Sequence, residues 1–92
     1  MGSDQLPFVW VFHSIRYFTG GVFSDRETAE CWIAKHGLTG ILTKYPLDIG
    51  VYDWAIARDL YSPVGERETP EFIGSFTTAS QEHFHYSEGK LA

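Results

Sequence analysis

The chain reads as a single α+β domain, a mainly antiparallel β-sheet in the order β-β-α-β-α-β-β with the principal helix packed on one face. Three observations carry that expectation. Residues 24–37, SDRETAECWIAKHG, hold the start and stop signals of one helix. Short segments rich in rings and β-branched residues alternate along the chain as strands do. The links between these elements are short, which favours antiparallel neighbours with a helix laid across them. Ninety-two residues make one domain, 1–92, with a core but little stability to spare. Residues 1–6 and 88–92 are expected to fray.

Composition narrows the function classes. The aromatic share is high at 16%, with three Trp, five Tyr and seven Phe, so the core is built on large rings and some rings remain as contact surface. A net charge of −5 leaves no basic stripe to neutralise phosphates, which argues against nucleic acid and against an anionic membrane. The same charge suits a basic protein partner. Cys31 is the sole cysteine, so no intrachain disulfide can form and a reducing, cytoplasmic setting is expected. No apolar run approaches the roughly 20 residues of a membrane span, and the opening MGSDQLPF holds no apolar signal region.

Residues 8–13, FVWVFH, form the first strand, with Phe8, Trp10 and Phe12 on one face and Val9, Val11 and His13 on the other. Both faces are apolar, so the strand is expected in the sheet interior with cover on both sides. A second strand spans 17–23, and Gly20-Gly21 marks a bulge or a close backbone approach within it. No strand–glycine loop–helix spacing accompanies that pair, so it is not read as a phosphate cradle.

The principal helix follows. Ser24 and Glu27 form an S-x-x-E capping box, Asp25 adds charge to the first turn, and Gly37 closes the helix after Lys35 and His36. Ala29, Trp32, Ile33 and His36 lie on one side. A third strand over 38–45 ends at Pro46. Asp48 is the expected N-cap of a second helix over 51–60, with Gly50 supplying backbone freedom. A polar loop spans 61–70, a fourth strand is expected at 71–78, and a fifth, edge-like strand at 82–86.

Few residues point to chemistry. Asp48 and Asp53 sit among large rings, but a spacing of five does not stack them on one helical face, so capping and solvated roles fit them better than acid–base work. The Cys31 thiol has only Glu27 and Lys35 one turn away, no base to activate it. No nucleophile motif stands out, and the chain is not expected to be an enzyme or to need a cofactor. His83-x-His85 is the sole metal-like spacing. Both imidazoles share a strand face, and His13 or an aspartate would have to complete the ligand set. The expected function is protein binding, through Asp48, Tyr52, Asp53, Trp54, Glu82, His83 and His85. The alternative is a small-molecule or metal-binding protein, an enzyme among the options, built on His13, His83 and His85.

Several blocks carry a resemblance: VWVFH, then GVFSDRETAECWIAKHGLTGILTKYPLDIGVYDWAI, then SQEHFHYSEG. The chain resembles a bacterial family of small uncharacterised domains with the pattern VWVFH…GVFSS…YPxDxGVYDWAI…SQEHYHYExG, from about Val9 to Gly89. That resemblance implies no activity, cofactor or catalytic residue. Arg58-Asp59 stands where the pattern more often has a glycine-bearing end to the second helix. In size and charge the chain is also similar to immunity-type proteins, which neutralise toxins.

Overall fold

The computed structural model describes residues 7–16 and 18–92. Its centre is one five-stranded antiparallel sheet, made of β1 (Phe8–His13), β2 (Thr19–Phe23), β3 (Gly40–Pro46), β4 (His83–Ser87) and β5 (Lys90–Leu91), in the spatial order β2-β1-β3-β4-β5. The α+β class and, roughly, the β-β-α-β-α-β-β succession hold, with a 3-10 turn at Gly65–Arg67 and one short extra α-helix before the last two strands. β1 is interior, as its continuous apolar run requires. The Tyr17 end of the expected second strand lies outside the described residues.

β1 and β2 pair with a break in register between Phe12, opposite Gly21, and His13, opposite Thr19. Gly20 is therefore the extra residue of a bulge, where the glycine pair predicts one. Gly40 is demanded by packing: a Cβ there would run into the His13 carbonyl oxygen and the Phe12 ring.

Helix α1 (Arg26–His36) crosses one face. Its N-cap is Asp25, not Ser24: Asp25 is extended, and its Oδ1 accepts the Thr28 N–H at 2.7 Å. A carboxylate at the positive end of the helix is the stronger acceptor, and the Ser24 hydroxyl turns to Asp25 at 3.4 Å instead. Gly37 ends the helix in the left-handed region at φ 62°, and the Leu38 N–H bonds the Ile33 carbonyl at 3.0 Å. Ala29 and Ile33 are fully buried against Trp10, Phe12, Leu42 and Tyr86, and burial of the Ile33 side chain contributes about 1.5–3 kcal/mol. Trp32 leans over Phe12 and Phe23 at ring separations of 5.7 and 5.4 Å.

The C-terminal third departs from expectation. Residues 71–78 are not a strand. Thr69 caps α3 (Pro70–Gly74) by accepting the Phe72 N–H at 3.1 Å, with Pro70 in the first turn where its missing N–H costs nothing. The helix ends at Gly74, and Phe76 follows in irregular chain with its ring 5.7 Å from that of Phe72, so the local cap signal outweighs the two-residue alternation of the same stretch. The last residues, expected loose, include a strand paired to β4. Glu88 and Gly89, at φ 50° and 86°, make the two-residue turn of a tight hairpin between β4 and β5, and the Gly89 N–H bonds the Leu38 carbonyl at 2.8 Å. Residues 1–6 lie outside the described residues.

Helix α2 (Val51–Ala57) is shorter than expected, and Gly50 is its N-cap residue with no side-chain bond. Asp48 is not the cap: it sits in the preceding turn at φ 66°. At the other end Arg58 is the C-cap and Asp59 takes φ 59°, the left-handed conformation that glycine adopts most readily.

Only one face of the sheet is roofed by a helix. The molecule measures 19 Å along its shortest axis, the depth of two layers. The second cover expected over β1 is missing: Val9 and Val11 are half-buried and Val22 is 62% exposed.

Candidate functional site

The register determines which side chains share the open face, because residues directly opposite one another in a ladder point the same way. Val11 lies opposite both Val22 and Thr43, and Thr43 opposite His83. His13 lies opposite both Thr19 and Ile41, and Ile41 opposite His85, while Val9 lies opposite Tyr45. None of these ten residues is an acid, a lysine or an arginine. Among the described residues, Lys90, opposite Ser87 on the β5 edge, is the one cation that the register brings to this face. No helix lies over it, and across β2, β1, β3 and β4 it mixes valine and isoleucine with histidine, threonine and tyrosine instead of the charged residues common on a solvated face.

On this face the segment 77–81 walls a groove of about 290 Å³ that His13, Tyr45, His83 and His85 help to line. Gln81 anchors the wall: it is buried, its amide donates to the Lys44 carbonyl at 3.2 Å, and its oxygen accepts the Thr78 N–H at 3.0 Å. His83 Nδ1 lies 2.7 Å from the Gln81 carbonyl, and the His83 and His85 rings meet edge to face at 5.5 Å. His13 Nδ1 is 3.2 Å from the Ser14 carbonyl. The three histidines thus share a face, but His13 and His85 are separated by β3, about 10 Å of sheet. Among the described residues, no three His, Cys, Asp or Glu side chains are grouped closely enough to hold a metal ion. The three-histidine ligand set does not form.

The partner-binding residues expected from sequence are dispersed. Trp54 is only 8% exposed and packs edge-on to Phe8 at 6.3 Å, so it belongs to the interior and cannot serve as contact surface. Its indole N–H is buried with no partner among the described residues. Asp48 and Asp53 are exposed near α2, and Tyr52 beside them is half-buried. Glu82 projects to the helix-bearing side, 3.7 Å from Lys44, whereas His83 and His85 belong to the open face. Cys31 is exposed on α1.

A second cluster was hidden in the stretch read as polar loop and strand. Glu68 Oε1 accepts the Tyr52 hydroxyl at 2.6 Å, and Oε2 accepts the Tyr61 hydroxyl at 2.7 Å and the Val64 N–H at 2.9 Å. Burial alone would raise the Glu68 carboxyl; the three donated bonds outweigh it and hold it below the usual carboxylate value. The same bond, from the other side, pushes the Tyr52 phenol up to about 12. Tyr61, Phe72 and Phe76 pack around this carboxylate with ring separations of 4.9–6.0 Å. The Thr69-Pro70 cap signal and the four-residue spacing of Phe72 and Phe76 are the traces of this cluster that the sequence holds.

No helix among the described residues is long and apolar enough to cross a membrane. Neither the curated proteins nor the solved structures contain a match to this chain. Set against known protein families, residues 9–92 match one, and nearly the whole sheet, α1 and the Glu68 cluster fall within the match: the chain belongs to the family described as Domain of unknown function (DUF7710).

Proposed function

We propose that this domain is a non-catalytic protein-binding module that docks a basic protein against the open face of its sheet. The observation that carries the reading is that face itself, with no helix over it and without a charged side chain across β2, β1, β3 and β4. Val22 at 62% exposure, with Ile15 at 65% and Phe18 at 97% in the β1–β2 turn, adds exposed apolar surface at this end of the sheet. Buried apolar contact would supply the affinity. The net charge of −5, carried in part by exposed Asp48, Asp53 and Glu82, would steer a cationic partner and raise its association rate. An immunity-type inhibitor of a basic toxin is the specific form that the small size and acidic charge favour. A single exposed, unpaired thiol, Cys31, suits a reducing cytoplasm.

The test is capture of a partner from the source organism, followed by binding kinetics with the purified pair. His85→Glu and Val22→Glu, both at exposed positions, should weaken the complex by about tenfold or more, since each buries an unpaired charge. Asp48→Lys with Asp53→Lys should slow association and flatten its salt dependence while leaving dissociation little changed. Unaltered affinity in the two glutamate variants would refute this face as the dock.

A second reading rests on the groove lined by His13, Tyr45, His83 and His85, which could take a small ligand. Saturable binding of a metabolite at that groove, with no protein captured, would favour it.

A further inference from the structure

The geometry points to a ligand site on the opposite side of the 77–78 segment, a pocket for a small carboxylate with a flat aromatic body. The pocket encloses about 440 Å³ between Tyr61, Arg67, Phe72, Phe76 and the Ser75–Thr78 strip, within the range of small-molecule sites. It is separate from the open face and does not depend on the docking reading.

The pocket has an apolar wall and one cation. Tyr61 and Phe76 meet at 4.9 Å, Phe72 and Phe76 at 5.7 Å, and all three interactions within this trio are tilted or edge-on. A flat ring added beside them would continue the same herringbone, the arrangement aromatic quadrupoles prefer. The Arg67 guanidinium lies 5.4 Å over the Phe72 ring and 5.7 Å over Tyr61, and its Nη2 donates to the Tyr61 hydroxyl at 3.0 Å. Stacked and tethered this way, the guanidinium is held in place before any ligand arrives, which lowers the ordering cost of binding.

Charge decides the ligand class. Glu68 is the acid nearest Arg67, but its oxygens already accept Tyr52, Tyr61 and Val64, and it stands 3.9 Å from Arg67 Nε. That leaves Arg67 Nη1 without a partner among the described residues. A guanidinium edge of this kind takes a carboxylate through two parallel N–H···O bonds. Ser75, Thr77 and Thr78 supply no charge at the opposite rim. A cationic ligand is repelled by Arg67 and a neutral one gains at most an uncharged hydrogen bond, whereas a monocarboxylate gains both its bonds and its charge.

The test titrates nitrogen-labelled protein with 3-phenylpropionate and, separately, with its uncharged primary amide, following backbone amide NMR shifts. The acid should shift residues 61–78 saturably at millimolar concentration, and the amide should bind about tenfold more weakly or worse. Arg67→Gln should abolish the preference for acid over amide, and Arg67→Lys should restore part of it. The comparison of acid with amide needs no variant, so a substitution that disturbed the fold would not spoil it. Equal binding of acid and amide, no saturable shift up to about 10 mM, or shifts confined to β1–β4 would overturn the assignment.

Discussion

Tyr86 donates its phenolic hydrogen to Glu30 at 2.5 Å, joining β4 to α1 across 56 positions of the chain. Arg26 completes the arrangement, 3.1 Å from the same carboxylate and stacked 3.6 Å over the Phe84 ring. Tyr86 is 4% exposed, and burial followed by the Glu30 bond pushes its phenol up to about 12. The helix is therefore attached to the sheet by a charged hydrogen bond at the rim as well as by the Ala29 and Ile33 core.

Tyr86→Phe keeps the ring and deletes the bond. A hydrogen bond to a charged partner contributes about 1.5–3 kcal/mol, and solvent reaching the half-exposed Glu30 reduces that toward about 1 kcal/mol. Urea unfolding should lower the midpoint without altering the slope, and an unchanged midpoint would mean that water replaces the hydroxyl at no cost.

Glu68→Gln should loosen the segment around α3 while sparing the sheet. Amide exchange at Phe72 and Ile73 should quicken, with β1 and β3 amides unaffected. Tyr52, held at about 12 by Glu68, should ionise closer to the ordinary 10.0, as read from tyrosinate absorbance. Retention of the high value would show that burial, not Glu68, sets it.

Stability should fall toward both extremes of pH. Glu30, Glu68 and Asp25 are held below their ordinary values, Glu30 chiefly by Tyr86 and Asp25 by the Thr28 N–H. Their contribution is complete above the unfolded values, 4.5 for glutamate and 3.8 for aspartate, and is lost as pH drops through the lower folded ones. The raised Tyr52 and Tyr86 act oppositely, contributing fully below 10.0 and losing that contribution as pH climbs toward about 12. Thermal midpoints collected across pH should be flat near neutrality and decline on each side; a rise below pH 4 would contradict the assignment.

Asp59→Gly should stabilise the domain by about 0.5–1 kcal/mol, because glycine occupies the left-handed region without the Cβ penalty that aspartate carries at φ 59°. Calorimetry of the single variant checks it. Loss of stability would indicate that the Asp59 side chain supports the end of α2.

The local signals proved sufficient where neighbours within four residues decide the outcome. The alternation of Phe8 to His13 and the Gly37 stop mark β1 and the end of α1 directly. Where two local signals compete, the result was out of reach. Phe72, Gly74 and Phe76 satisfy strand spacing, but the Thr69–Pro70 start with packing of Phe72 on Tyr52 and Tyr61 tips residues 70–74 to a helix.

Composition and periodicity by themselves determined an α+β chain with a capped helix, a ring-rich interior strand and an acidic surface. Only the tertiary structure decided which side of the sheet stays open, that Trp54 turns inward, and that His13, some seventy positions from His83, shares a groove with it. Those outcomes depend on strand register and on which distant surfaces meet. Both are set by burial summed over the whole domain, and no short window of sequence contains that sum.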